Sequence, residues 1–340
     1  PVIDQLASAM ETLHHGVTRL AVDADIGPVV EGLRRSAPEL VFNLTESFAG
    51  VSSLDSNLAA LLNLLGLRYT GSSPSGLMLA GDKSLTKKVL SFHGIRTPKF
   101  ATVYRGAVDS IGDIDFPLIV KPPQEDASIG ITSASLVTDL RDLFSKIDEL
   151  QSEFGTPVLL EEYIEGREFY VGVLGNVNAR ALPVMELDFS RMPVGAPRIA
   201  SWEAKWGADG SGEGAGAEKS AEFAGTKSVF PTDVPEELAA RMQSVAIDAF
   251  HALRLRDYAR IDLRLTGHGP VVRAQQAAEV EEALAWITVA AQDLAFLEAL
   301  RRPDRGDLRL AKGERAGLVD DERVDLLHAL QRFGILDQHA

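Results

Sequence analysis

Apolar residues along this chain follow two rhythms, one spaced for helices and one for strands, and the two alternate from the start. Val2–Leu13 and Ile26–Arg35 gather apolar residues on one helical face, and Asp55–Leu65 does the same until Gly66 stops it. Between them, Val17–Val22 is a short β-like run. Leu40–Leu44 (LVFNL) is a compact apolar run of the kind that forms a buried parallel strand. Arg68–Thr70 is short and extended before the turn-rich Gly71-Ser72-Ser73-Pro74. This alternation predicts a small parallel α/β lobe over residues 1–82.

The pattern then changes. Asp82–His93 reads as a helix carrying Lys83, Lys87 and Lys88 and ended by Gly94. Strands are predicted at Phe100–Tyr104, Leu118–Lys121 and Val158–Glu162, with an acidic amphipathic helix at Leu136–Leu150, giving a second lobe over 83–178. Glu168–Leu174 and Ala181–Leu187 read as two more strands. Val234–Leu253 is a helix with Pro235 near its start and Glu236 and Glu237 in its first turn. Ala259–Leu265 alternates as a strand and Val271-Val272 follows, so a third lobe is expected over 179–285 and a helical tail over 286–340. Residues 207–225 shift to Gly, Ala, Ser and Glu, a long loop with little capacity to form a core. The expected class is α/β with α+β lobes.

Composition narrows the chemistry. A formal charge of -15 argues against broad binding to nucleic acid or to an anionic membrane, because both need excess Lys and Arg. With no cysteine there is no disulfide, thiolate metal site or Cys nucleophile, and a reducing, cytoplasmic setting is expected. No apolar run reaches the ~18 residues of a membrane span, and no charged-then-apolar leader opens the chain. Pro1 in place of Met leads us to expect a processed or truncated start. The seven His show no HxxxH or HExxH spacing, and neither GxSxG nor GxxxxGK[ST] occurs.

Three segments carry candidate chemistry. LIVKPPQEDASIGI, from Leu118, delivers Lys121 on a strand beside a loop running from Pro122 to Gly130. Backbone N–H groups, a Ser hydroxyl and a Lys together can close over a polyphosphate, although an ordinary surface turn reads the same way. VLLEEYIEGREF, Val158–Phe169, ends an apolar strand in Glu161 and Glu162 and places Glu168 after a turn. Its backbone could pair with an adenine edge and a carboxylate could accept from ribose hydroxyls; the alternative is a solvated acidic strand edge. DYARIDLRL, Asp257–Leu265, puts Arg260, Asp262 and Arg264 on one strand face and Ile261 and Leu263 on the other. That face could bind Mg²⁺ and steady an oxyanion, or be a surface salt-bridge ladder.

Together with LLGLRYTGS at Leu64–Ser72, DKSLTKKVL at Asp82–Leu90 and WEAKW at Trp202–Trp206, these segments resemble, in order and spacing, the D-alanine–D-alanine ligase family of the ATP-grasp superfamily. The resemblance covers roughly Leu40 to Val272. It implies an N-terminal lobe followed by two lobes that clamp ATP. It also implies ATP-dependent joining of an amino-acid carboxylate to an amine through an acyl phosphate, as in peptidoglycan biosynthesis. Lys83 and Lys121 match the family's phosphate-binding lysines, and Glu125 to Gly130 its phosphate-covering loop, with Ser128 in a hydroxyl position. Glu161 to Ile164, with Glu162 and Tyr163 between, match the adenine-contacting segment, and Glu168 the ribose carboxylate. Lys205 and Trp206 fall on the substrate-closing loop. Arg260 resembles the arginine that stabilises the tetrahedral intermediate, and Asp262 a Mg²⁺ ligand. Small amino acids are the implied substrates and a homodimer is common in the family.

The sequence also departs from the pattern. The family's Glu-x-Asn metal strand corresponds to Pro270–Ala278 (PVVRAQQAA), where the Glu position falls on Arg273, Ala274 or Gln275, none a carboxylate. Glu279, Glu281 and Glu282 follow on a predicted helix and could substitute only if that helix begins at the site. The first strand of the N-terminal lobe is expected to be missing, and Asn43–Gly50 replaces a loop that helps define the first amino-acid site. Expected outcomes are therefore an active ligase, one with a different amino-acid or peptide substrate, or a nucleotide-binding relative with impaired catalysis. A shifted reading frame after the last matched strand is a further explanation of the tail.

Overall fold

In the computed structural model, the described residues are 2–104, 113–125, 128–155, 157–193, 196–201, 225–267 and 269–273. Helix α1 (Val2–Thr12) leads to α2 (Ile26–Ser36), whose start is capped by Asp25 accepting from the Gly27 N–H at 2.9 Å. Then come α3 (Asp55–Leu64) and α4 (Pro74–Gly81), the latter with Pro at its first turn. Val29 and Leu33 of α2 pack on Ala59 and Leu62 of α3 and on Tyr69.

This first lobe has less sheet than its alternation predicts. Val17–Val22 forms no strand: it is mostly exposed, and no second strand satisfies its backbone. Leu40–Leu44 shrinks to one parallel bridge, Val41 with Tyr69, in which Val41 N–H donates to Arg68 and Thr70 N–H to Val41. Among the described residues this is the sole parallel pairing.

The second lobe matches its expected elements closely. Helix α5 (Lys83–Phe92) is capped by Asp82, which accepts from Leu85 N–H at 2.9 Å. Strands β1 (Phe100–Val103), β2 (Leu118–Lys121), β3 (Leu136–Val137) and β4 (Val158–Glu162) form an antiparallel sheet of order β1-β4-β2-β3. The helix expected at Leu136–Leu150 instead runs as α6 (Leu140–Phe154). Asp139 caps it by accepting from Asp142 N–H, Gly155 ends it in the left-handed region at φ 64, and the preceding two residues join the sheet. Leu143, Ile147 and Leu150 of α6 bury Leu118, Val120, Val158 and Leu160. The alternate residues Ile119, Lys121, Leu159 and Glu161 therefore occupy the opposite face, toward α5.

The third lobe is a six-stranded antiparallel sheet of β5 (Glu168–Leu174), β6 (Arg180–Ala181), β7 (Met185–Asp188), β8 (Lys227–Val229), β9 (Tyr258–Thr266) and β10 (Gly269–Arg273). The single strand expected at Ala181–Leu187 is split in two around Pro183, which lacks an N–H for the ladder. Helix α7 (Glu236–Ala252) lays Met242, Ala246, Ala249 and Phe250 on Phe169, Val171, Val173, Ile261 and Leu263. Gly166, in the turn before β5, has no room for a side chain: a Cβ there would lie 2.2 Å from the Leu265 carbonyl oxygen.

A polar clamp joins the first lobe to this sheet. The Gly71 N–H donates to Asp257 at 2.9 Å, Arg256 donates to the Gly71 carbonyl at 2.8 and 3.0 Å, and the Arg256 guanidinium lies 4.7 Å from the Tyr69 ring. Asn176 donates to the second Asp257 oxygen, whose carboxyl is pushed up by burial. Burial also pushes the neighbouring Tyr258 phenol, hydrogen-bonded to Thr70, up to about 12. The folded protein keeps this proton above pH 10, where the unfolded chain has lost it. The stabilisation is therefore full below pH 10 and declines as pH rises toward about 12. Denaturant unfolding at pH 9 and pH 11.5 is expected to show roughly 2 kcal/mol less of this alkaline loss in Tyr258→Phe than in the parent chain. Equal losses in both would show that the phenol is not the titrating group.

Candidate active site

Buried charge gathers in two clusters, one on each sheet. The first stands on the α5 side of the second-lobe sheet. Lys83 and Lys87, one helical turn apart, reach the sheet face that carries Lys121 and Glu161. Glu161 Oε2 lies 3.0 Å from Lys87 Nζ and 3.0 Å from Lys121 Nζ, with all three side chains no more than 2% exposed. Lys83 Nζ donates to the Glu125 carbonyl and its backbone N–H to Pro123 at 2.9 Å. Gln124 donates to Asp82 at 3.1 Å, so the start of α5 grips the loop that follows Lys121.

That loop is bent for its path. Ser128 and Gly130 are in the left-handed region at φ 65 and 73. The buried Ser128 hydroxyl donates to the Ala200 carbonyl at 2.7 Å. At the end of β4, Glu162 accepts from the Lys99 N–H at 3.0 Å, Tyr163 N–H donates to Pro117 at 3.1 Å, and the half-buried Ile164 follows.

The second cluster lies on the face of β5 and β9 away from α7. The register pairs Glu168 with Arg264, Tyr170 with Asp262 and Gly172 with Arg260, so the alternation places all of them together. Arg264 approaches Glu168 at 2.6 Å and donates to the carbonyls of Gly166 and Arg198 at 2.8 and 2.5 Å. Tyr170 donates its hydroxyl proton to Glu168 at 3.2 Å. Arg260 forks onto both Asp262 oxygens at 2.8 and 3.3 Å and lies 4.4 Å from the Tyr170 ring. The ladder is buried, not solvated: Glu168, Arg260, Asp262 and Arg264 are each at most 4% exposed. The segment 196–201 links the clusters, since Ala200 accepts from Ser128 and Arg198 from Arg264.

The structure thus gathers Lys83, Lys121, Glu125, Ser128, Gly130, Glu161, Glu162, Tyr163, Ile164 and Glu168 about the two clusters, with Arg260 and Asp262 in the second. Lys205, Trp206, Glu279, Glu281 and Glu282 lie outside the described residues. Sequence reasoning missed Lys87 as a partner of Glu161, although its place four residues after Lys83 was a usable signal. It also missed the Arg256–Asp257 clamp.

Among the described residues no group of three or more His, Cys, Asp or Glu is placed to hold a metal. Asp262 is gripped by Arg260, and its cross-strand register partner on β10 is Arg273.

Two antiparallel sheets with buried lysines on one and an Arg–Asp ladder on the other define an ATP-grasp protein. The family described as D-ala D-ala ligase C-terminus matches residues 89–275, and the chain belongs to the D-alanine–D-alanine ligase family. It is 31% identical over 275 residues to the uncharacterized protein y4sG of Sinorhizobium fredii, covering 79% of this chain and 75% of that one. It is 30% identical over 267 residues to a D-alanine–D-alanine ligase of Desulforudis audaxviator, covering 77% and 78%. The ligase from Bacillus anthracis solved with ATP shares the fold at a TM-score of 0.60 and 19% identity, over 83% of this chain and 84% of that one.

Removing Arg264 would take from the buried Glu168 carboxylate the guanidinium that lies 2.6 Å from it. Arg264→Met is expected to cost about 3–5 kcal/mol in urea unfolding, most of it recovered by adding Glu168→Gln. A double variant no more stable than Arg264→Met alone would show that the arginine's packing, not its charge, matters.

Proposed function

We propose that this chain is an ATP-dependent carboxylate–amine ligase of the D-alanine–D-alanine ligase type, with ATP between the second and third lobes and a small amino acid as acceptor of its γ-phosphoryl group. The observation that carries this reading is the pair of buried lysines at the loop from Pro122 to Gly130: Lys121 immediately precedes it, and Lys83 holds the Pro123 and Glu125 carbonyls. In this reading the lobes are residues 1–82, 83–178 and 179–285. Lys83 and Lys121 neutralise phosphate oxygens and the Ser128 loop excludes water from them. The strand end from Glu161 to Ile164 borders the adenine, and Glu168 accepts from the ribose. Arg260 stabilises the oxyanion that forms when an amine attacks the acyl phosphate. Peptidoglycan precursor synthesis is the corresponding place for such a product. In relatives of this type Mg²⁺ screens the phosphates; with Asp262 tied to Arg260, no step here is assigned to it.

A second reading, a nucleotide-binding relative with impaired catalysis, is favoured by one observation: Arg273 lies opposite Asp262. ADP release from MgATP, with and without D-alanine and a panel of other amino acids, separates the two. Amino-acid-dependent release supports the ligase. ATP binding without turnover for any amino acid supports the impaired relative. Lys121→Ala is expected to weaken ATP binding roughly tenfold or more, equivalent to about 1.4 kcal/mol, by calorimetric titration. Unchanged affinity would remove Lys121 from the site.

A further inference from the structure

We infer that Lys87 is a positioning residue that sets the availability of Lys121 through the carboxylate they share, Glu161. The inference rests on the nucleotide-binding reading above. Lys87 is fully buried, lies 5.6 Å from the centre of the Phe100 ring, and sits 3.0 Å from the same Glu161 oxygen that Lys121 contacts at 3.0 Å. Lys87 projects from α5 against Phe100, whereas Lys121 stands at the start of the loop from Pro122, so the two are placed for different tasks.

The arrangement has an electrostatic consequence. Two ammonium groups on one carboxylate leave the trio with a net positive charge, inside a site meant for a polyanion. Without Lys87, a phosphate that recruits Lys121 would take a second cation from the same buried carboxylate oxygen, and under-compensated buried charge is costly. With Lys87 in place, Glu161 keeps a cation when Lys121 turns to phosphate. Glu161 thereby parks Lys121 near the mouth of its loop before the nucleotide arrives, and Lys87 makes the release inexpensive. The geometry agrees: Lys121 ends β2 where the loop begins, whereas Lys87 is fixed in the body of α5.

The test is a double-variant cycle read by calorimetric titration of ATP and of ADP. Lys87→Met is expected to weaken nucleotide affinity roughly tenfold or more. Glu161→Gln removes the carboxylate that Lys87 serves, so Lys87→Met in that background is expected to change affinity less than about threefold. A full tenfold loss in both backgrounds would mean that Lys87 acts without Glu161 and would overturn the inference. Lys87→Arg, which keeps the cation, is expected to retain most of the affinity.

A second measurement needs no nucleotide. Trace acetylation with acetic anhydride, quantified by mass spectrometry against the exposed Lys88, reports how firmly Lys121 is held. Lys87→Met is expected to lower Lys121 labelling severalfold, because Glu161 Oε2 then no longer divides its charge between two ammonium groups, and Glu161→Gln to raise it. Unchanged Lys121 labelling in Lys87→Met overturns the inference. If the parent chain binds no ATP, the nucleotide reading fails, and the labelling still decides the coupling of Lys87 to Lys121. If Lys87→Met does not fold, Glu161→Gln carries the test, and Lys121 labelling that fails to rise overturns the inference.

Discussion

A charge taken out of water survives in a protein only beside a partner, and the inner faces of both sheets are built on that constraint. Lys87, Lys121, Glu161, Glu168, Arg260, Asp262 and Arg264 are all at most 4% exposed. Each is matched: Glu161 by two lysines, Glu168 by Arg264, Asp262 by Arg260. Apolar residues of similar volume would often serve stability as well. The buried ion pairs are therefore better read as equipment for a polyanionic ligand than as the source of the fold. The fold's stability comes from the opposite faces, where α6 and α7 cover the alternate, apolar residues of the same strands.

The constraint also explains how the parts communicate. Arg264 spends its guanidinium on Glu168, Gly166 and Arg198, so one side chain fixes the turn before β5, the ladder and the segment leading to Ala200. Ala200 in turn receives the Ser128 hydroxyl from the second lobe. Gly71, Arg256 and Asp257 perform the same service on the first lobe, with main-chain groups meeting charged side chains. These polar seams stand beside apolar ones: Ala80 and Leu90 join the core under α7, and Leu6 packs with Tyr170, Leu174 and Leu182.

Membership of the ligase family and the chemistry at its last strand pull in different directions. Lys83, Lys121, Arg260 and Arg264 are buried on α5 and the two sheets, yet the position facing Asp262 holds Arg273. Arginine carries no side-chain oxygen, and Mg²⁺ takes oxygen ligands.

The sequence by itself determined the elements whose pattern is local. Strands at Leu118–Lys121, Val158–Glu162 and Glu168–Leu174 stand where the apolar runs placed them, and the period of two in Asp257–Leu265 already put Arg260, Asp262 and Arg264 on one face. Only the tertiary structure decided what each charge meets. It turned Val17–Val22 away from any sheet and reduced Leu40–Leu44 to one bridge, because a strand exists only where a neighbour supplies hydrogen bonds. It also seated Lys87, from a helix, on the carboxylate of a strand 74 positions later, 161 − 87 in the numbering. No periodicity encodes that contact, since it follows from how α5 crosses the sheet and from the cost of leaving Glu161 alone in the interior.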